Sequence, residues 1–349
     1  MGILQTTQKA AARIGRRLDR LSHTLTIGRS YESATVCAPS DMESYFAQVE
    51  ANYAQLANPF HYYRELIDFL SAVGRSISIV PLADLMTETA GQGSRIAIRH
   101  DVDADPITAV RCARYLARTG IPGSFYLLHT APYYGLFQQG MFVRSPLLQK
   151  WVRELILAGC EIGLHNDALG VYLHHGFDGA QALTTEIAWL RDQGAVVKGT
   201  VAHNSGPAYG AENSEVFHGR LLWSRSVRRN GKRLPLGVLS EQAVGLTYEG
   251  TYVRPKLVRD SKQASAFLED ISSASTSSES WMRSFLHSNP TLDYLVDFQF
   301  WLLGIDKWTI TGPDLFLWHV NLDRVLAELD KLPEGARAVV VVHPEYVRS

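Results

Sequence analysis

The chain has 349 residues, 46% of them apolar, enough to bury a large core as one big α/β domain or as two smaller ones. Lys and Arg number 34 and Asp and Glu 35, so the net charge is −1 and no global basic excess points to nucleic acid. No apolar run approaches the roughly 18 residues that a membrane-crossing helix needs.

The first segment, MGILQTTQKAAARIGRRLDRL, lacks the apolar stretch of a secretory signal. Its Lys9, Arg13, Arg16, Arg17 and Arg20 read as a solvated or partner-packed helix, with peripheral contact to an anionic membrane surface as the other reading. Gly2 with Thr6 is a loose match to the myristoylation pattern. Cys37, Cys112 and Cys160 have no metal or redox spacing, and the expectation is a reducing, cytoplasmic compartment. Residues 1–75 are read as a polar helical extension, with HYYRELIDFLSAVG (61–74) the clearest helix in it.

From residue 76 to 349 the pattern is a domain of alternating strands and helices. SISIVPL (76–82) and RIAIRHD (95–101) read as strands, ITAVRCARYLARTG (107–120) as a helix stopped by Gly120, and GSFYLLHT (123–130) as a strand. SPLLQKWVRELILAG (145–159) is a helix opened by Ser145 and Pro146. CEIGLHND (160–167) is a strand, GAQALTTEIAWLRDQG (179–194) a helix and VKGTVAHNS (197–205) a strand. Strand then helix, every 30 to 40 residues, is the signature of parallel βα units. Between about 210 and 320 it blurs, with GVLS, GLTYEGTYV and WTITG strand-like and SSASTSSES (272–280) a Ser-rich loop. It returns as the helix NLDRVLAELDKL (321–332) and the strand ARAVVVVHPEY (336–346).

Parallel α/β folds bind ligands at the carboxyl ends of their strands. Here those ends carry Asp101 and Asp103, His129, His165 and Asp167, His203 and Asn204, then His343 and Glu345. Side chains alternate along a strand, which puts Arg99, Asp101 and Asp103 on one face and His100 and Val102 on the other. Two carboxylates on one face repel unless a cation lies between them. Arg99 could supply that charge as an ion pair, and a metal completed by His165 and His203 could do so too. Asp and His ligands suit a divalent ion, Zn²⁺ first, with Co²⁺, Mn²⁺ or Ni²⁺ as alternatives.

At these residues the sequence resembles the polysaccharide deacetylase superfamily, the group with the NodB homology domain. RHDVD looks like its Asp-Asp motif, EIGLHND like its His motif and VVHPEY like its C-terminal His motif. The departures are specific. Val102 separates the two aspartates, Leu169 stands where a second His is usual, and VAHNSGPAYG occupies the place of an Arg-x-Pro-Tyr motif. His174 and His175 follow later, and Asp260 is the candidate for the family's His-tuning Asp.

The resemblance implies a distorted (β/α) barrel and a metal-dependent hydrolase that removes an N-acetyl or related acyl group from an amino sugar. Asp103, His165 and His203 would hold the metal, Asp101 would act as general base and His343 as general acid, with the two aspartates exchangeable. Arg99, His129, Tyr133 and Asn204 are the candidate substrate-binding residues; Tyr134, Tyr209 and Trp318 could add stacking rings. The implied substrate is an acetylated amino sugar or a nucleotide- or lipid-linked glycan precursor. Two other readings remain open at this point. Asp101-Val102-Asp103 is a D-x-D triplet of the kind glycosyltransferases use for a metal and a sugar nucleotide, and the departures also fit an inactive member that only binds.

Overall fold

The computed structural model describes residues 28–34, 60–73, 77–87, 93–203, 209, 211–219, 228–229, 231–251, 295–297 and 337–346. The strands are β1 (Ser33–Ala34), β2 (Ile77–Ile79), β3 (Ser94–Val102), β4 (Ser124–Leu128), β5 (Gly135–Gln138), β6 (Met141–Arg144), β7 (Glu161–Asn166), β8 (Gly199–Ala202), β9 (Arg228–Arg229), β10 (Lys232–Arg233), β11 (Tyr248–Glu249), β12 (Leu295–Asp297) and β13 (Arg337–Val342). The helices that matter here are α1 (Phe60–Val73), α2 (Leu82–Thr87), α3 (Pro106–Thr119), α4 (Leu148–Leu157) and α5 (Gly179–Asp192).

The main sheet is parallel, in the order β11-β8-β7-β4-β3-β13-β12, with β2 pairing the first residues of β3. Strand β3 sits between β13 on one edge and β2 then β4 on the other, which buries all nine of its residues. The sheet curls: Arg99 on β3 reaches across the concave face to the carbonyls of Gly250 and Thr251 beyond β11, four strands away. Among the described residues β11 and β12 do not pair with each other, so the architecture is a half-barrel of α/β type.

Strand alternation divides the core in two. Ile96, Ile98, Val102, Phe125, Leu127, Ile162, Leu164, Val340 and Val342 face outward and pack under Cys112, Leu116, Val152, Leu155, Leu183, Ile187 and Leu190 of the helices. Each such buried aliphatic or aromatic side chain contributes about 1.5–3 kcal/mol. On the concave side Ala97, Tyr126, Val201, Tyr248, Val339 and Val341 pack against Leu82, Ala83 and Leu85 of α2. The start of α2 stops the amino end of the half-barrel. Leu82 N–H donates to Ser124 Oγ at 2.9 Å and Ala83 N–H to Glu161 Oε2 at 3.0 Å, while Tyr248 Oη donates to Glu161 Oε1 at 2.6 Å. Gly163 and Gly199 make room for the rings of this layer: a Cβ on Gly199 would lie 2.1 Å from Tyr248 Cζ.

Helix boundaries follow local chemistry. Asp105 caps α3 by accepting from Ile107 N and Thr108 N, Pro106 opens it, and Gly120 closes it at φ 71°. Asp178 caps α5 in the same way. Helix α1 belongs to the segment read as an extension, yet Tyr63, Leu66, Ile67 and Leu70 lie in the same core as β3 and α3. Residues 28–34 were expected to be helical and are extended instead, with β1 parallel to β6. An aromatic anchor explains this: Tyr31 packs on Phe137, Phe142 and Phe177 and donates its hydroxyl to Glu186. Glu186, fully buried on α5, also receives Arg144 from β6 at 2.7 and 2.8 Å and Tyr134 at 3.1 Å. The β5–β6 hairpin, turned by Gln139 and Gly140 at positive φ, was not expected from the sequence. The basic N-terminal segment, the helix expected at 321–332, WTITG and the Ser-rich loop lie outside the described residues.

Candidate metal centre

The carboxyl ends of β3, β7, β8 and β13 meet at one place. Asp103 lies just after β3, His165 on β7, His203 just after β8 and His343 just after β13. One ligand atom each from Asp103, His165 and His203 lies within 4.8 Å of the others. Asp103 Oδ1 is 3.3 Å from His165 Nε2, and Asp103 Oδ2 is 3.9 Å from His203 Nε2. His343 Nε2 approaches Asp103 Oδ2 from the other flank, also at 3.9 Å. The two imidazoles of the cluster meet edge to face with centroids 5.1 Å apart.

The expected alternation along β3 is present and separates its two aspartates by partner. Asp101 Oδ2 accepts from Arg99 Nη2 at 2.8 Å in a buried ion pair, while lying 3.9 Å from His165 Nε2. Asp103 faces the histidines, with a quarter of its side chain open to solvent (25%). Burial works to raise the Asp101 carboxyl, but the charges of Arg99, His165 and His343 outweigh it and hold the group below the usual carboxylate range. Asp103 goes the other way. Burial pushes it up, Asp101 and Asp167 add to that, and His165 and His203 pull against it. Strand β3 thus presents one carboxylate held ionised by a guanidinium and one that gains from a cation.

The donor set fits a divalent ion on three observations. His165 Nδ1 lies 3.0 Å from the Val201 carbonyl, which can only accept, so Nδ1 carries the proton and Nε2 turns its lone pair toward Asp103. Burial lowers the His165 pKa, favouring the neutral imidazole that a metal needs. Among the described residues, Asp103 Oδ1 and His203 Nδ1 are buried without a hydrogen-bond partner, and so is Asp101 Oδ1. Asp103, His165 and His203 are therefore the residues that could hold a metal.

The remaining candidates surround this cluster in different ways. His100 packs behind β3 as expected, stacked on Phe125 at 4.0 Å and bonded to Tyr63 Oη at 2.9 Å. His129 is buried, and its Nε2 accepts the Asp167 N–H at 2.8 Å, so it fixes the loop after β7. Tyr133 is fully buried; its hydroxyl donates to the Val102 carbonyl and accepts from Leu128 N–H, which ties the ends of β3 and β4 together. Tyr134 is spent on Glu186, and Tyr209 lies beside His174 at 5.6 Å. Leu169 is fully buried against Tyr172, Ala211 and Leu234. His175 stacks on Phe137, and His174 is exposed on the helical turn 171–175. Asn204, Asp260 and Trp318 lie outside the described residues.

Sequence reasoning gave no role to three buried polar residues near the centre. Asn213 donates to Asp167 Oδ1 and to the His203 carbonyl, and its Oδ1 accepts from Leu169 N–H. Asn166 donates to the Asn213 carbonyl, completing a support under the His165 and His203 loops. Glu345 is buried, and burial with the nearby Asp103 and Asp105 pushes its carboxyl well above the usual range. Glu345 stands in the sequence only as one of the polar residues after a strand, and AENSE contains no spacing that singles out Asn213; their surroundings come from contacts between distant segments.

Comparison with protein-family models, with curated proteins and with solved structures finds no match for this chain.

Proposed function

We propose that this chain is a metal-dependent hydrolase of the polysaccharide deacetylase type, which removes an N-acetyl or related acyl group from an amino sugar. The observation that carries the reading is the grouping of Asp103, His165 and His203 with a carboxylate, Asp101, and an imidazole, His343, both reaching the same cluster from different strands. A divalent ion held by Asp103, His165 and His203, Zn²⁺ first and Co²⁺, Mn²⁺ or Ni²⁺ otherwise, would supply a Lewis acid for the amide carbonyl and for water.

The chain's own groups would do the rest. Asp101, kept ionised by Arg99, takes a proton from the attacking water. His343, on the opposite flank of Asp103, gives a proton to the departing amine nitrogen. Water and amide thus become carboxylate and amine with no other reactant. The Arg99 ion pair with Asp101 and the approach of His165 to Asp103 support the assignment of Asp101 as the base and Asp103 to the ion. A D-x-D reading explains the acids but not the convergence of three histidines on them.

Metal content by mass spectrometry tests this on wild type, Asp103→Ala and His165→Ala, with circular dichroism as the fold control. One ion per wild-type chain, absent from both variants, together with acetate release from N-acetylated amino sugars, is the expected result. A wild type that stays metal-free with zinc, cobalt, manganese and nickel supplied would sink the hydrolase mechanism.

A further inference from the structure

The two histidines of the candidate centre are held in different ways. His165 is fixed through its ring, with Nδ1 lying 3.0 Å from the Val201 carbonyl. A metal-bound His ordinarily donates its second ring nitrogen in this manner, which orients the ring and raises its basicity. His203 lacks that tie among the described residues: its Nδ1 is buried with no hydrogen-bond partner, while its Nε2 faces Asp103 Oδ2 at 3.9 Å. Its main chain is held instead. The His203 N–H donates to the Asn166 carbonyl at 2.9 Å, and the His203 carbonyl accepts from Asn213 Nδ2 at 3.0 Å.

Asn213 comes from a separate segment, the single helical turn Asn213–Val216, and is fully buried. Its Nδ2 donates to Asp167 Oδ1 as well as to the His203 carbonyl, both at 3.0 Å, and its Oδ1 accepts from Leu169 N–H at 2.8 Å. These partners fix which way the amide points, because a flipped amide would set its oxygen against a carboxylate and a carbonyl. The Asn213 carbonyl accepts in turn from Asn166 Nδ2 at 2.9 Å. One side chain thus joins the loop that leaves β7 after His165 to the loop that leaves β8 at His203.

We infer that Asn213 is a positioning residue for the metal: it holds His203 at its distance from Asp103 and His165, and so sets the affinity and coordination geometry of the ion. The inference rests on the metal centre and not on the deacetylase reaction or its sugar. The coupling is reciprocal, so an ion that draws His203 into place also stabilises the turn that carries Asn213.

The test is competitive zinc titration against a chromophoric chelator, with the visible absorption of the Co²⁺-loaded proteins as a second readout. The proteins are the wild-type full chain, Asn213→Ala, Thr130→Val, His203→Ala and Asn213→Ala/His203→Ala, with circular dichroism as the fold control. Thr130→Val controls for loosening of the loop itself, since Thr130 Oγ1 donates at 2.7 Å to Asp167 Oδ2, the carboxylate oxygen that Asn213 does not use. The expected result is that Asn213→Ala binds zinc about 10- to 100-fold more weakly and alters the Co²⁺ spectrum, while Thr130→Val keeps wild-type affinity and spectrum. In the His203→Ala background the loss of Asn213 should cost about twofold or less, because the ligand it positions is gone. Equal losses with and without His203 would show that the amide acts on the fold at large and overturn the inference. So would wild-type affinity in Asn213→Ala, or an equal loss in Thr130→Val. Should Asn213→Ala not fold, hydrogen exchange of the wild type decides. Leu169 N–H, which donates to Asn213 Oδ1, should exchange more slowly with zinc than without, and an unchanged rate overturns the inference. Zinc held through Asn213 with no acetate released would refute the hydrolase and leave the positioning role standing. A wild type that binds neither ion removes the centre and the inference together.

Discussion

Replacing Arg144 with Met removes the cation from a carboxylate that has no route to water. The Arg144 and Glu186 side chains are 7% and 0% exposed, and the pair is bidentate at 2.7 and 2.8 Å. Solvent screening is therefore slight, and the loss should resemble that of other broken buried pairs, about 3–5 kcal/mol. Against a total stability of about 5–15 kcal/mol for a folded protein, that is a large share. The Tyr31 and Tyr134 hydroxyls still donate to Glu186 and set a floor under the damage. Urea unfolding of Arg144→Met, Glu186→Leu and the double variant measures it. The double variant should lose less than the sum of the singles by at least about 2 kcal/mol, because each single strands the other's charge. Strictly additive losses, or single losses under about 1 kcal/mol, would show that the pair is better hydrated than its burial implies and refute the reasoning.

Four further outcomes follow from the same geometry. Gly163→Ala should destabilise by about 1–3 kcal/mol in urea, because its Cβ would lie 2.5 Å from the Gly199 carbonyl and 2.7 Å from the Tyr126 ring. Zinc at about a hundred times its Kd should stabilise wild type by about 2.7 kcal/mol in thermal unfolding and leave Asp103→Ala unmoved; equal stabilisation of both would dismiss the centre. Burial lowers the His100 pKa from 6.5 to about 3, so the unfolded chain takes up a proton there before the native one does. Its contribution to stability is complete above pH 6.5 and is lost as the pH falls toward 3. A His100→Phe variant should show a flatter loss of stability over that window, and an unchanged slope would count against the assignment. Metal loading should weaken as the pH falls, since burial raises the Asp103 carboxyl and protons compete for it, as equilibrium dialysis would show.

The legible parts of this structure are those governed by short-range periodicity. The alternation in RIAIRHDVD placed Arg99, Asp101 and Asp103 on one face, and the strands ending in His165, His203 and His343 follow from apolar runs closed by polar residues. Gly120 announces the end of α3 by its left-handed cap, while the Asp105 cap at its start emerged with the structure. What could not be read depends on meetings between distant segments. Tyr31 is extended because its ring has a socket built from residues more than a hundred positions away, and Glu186 is an ordinary helical glutamate until Arg144 arrives. Asn213 supports the centre through a loop whose sequence carries no periodic signal. The choice between Arg99 and a metal as the cation for two aspartates was an either-or in sequence; in space each aspartate has its own partner.

The stopper formed by α2, with Leu82, Ala83 and Leu85 against the rings of Tyr126 and Tyr248, fills the amino end of the described half-barrel. Among the described residues the approach from that side is occupied by side chains, so a ligand of the Asp103, His165 and His203 cluster has the carboxyl ends of β3, β7, β8 and β13 as its way in.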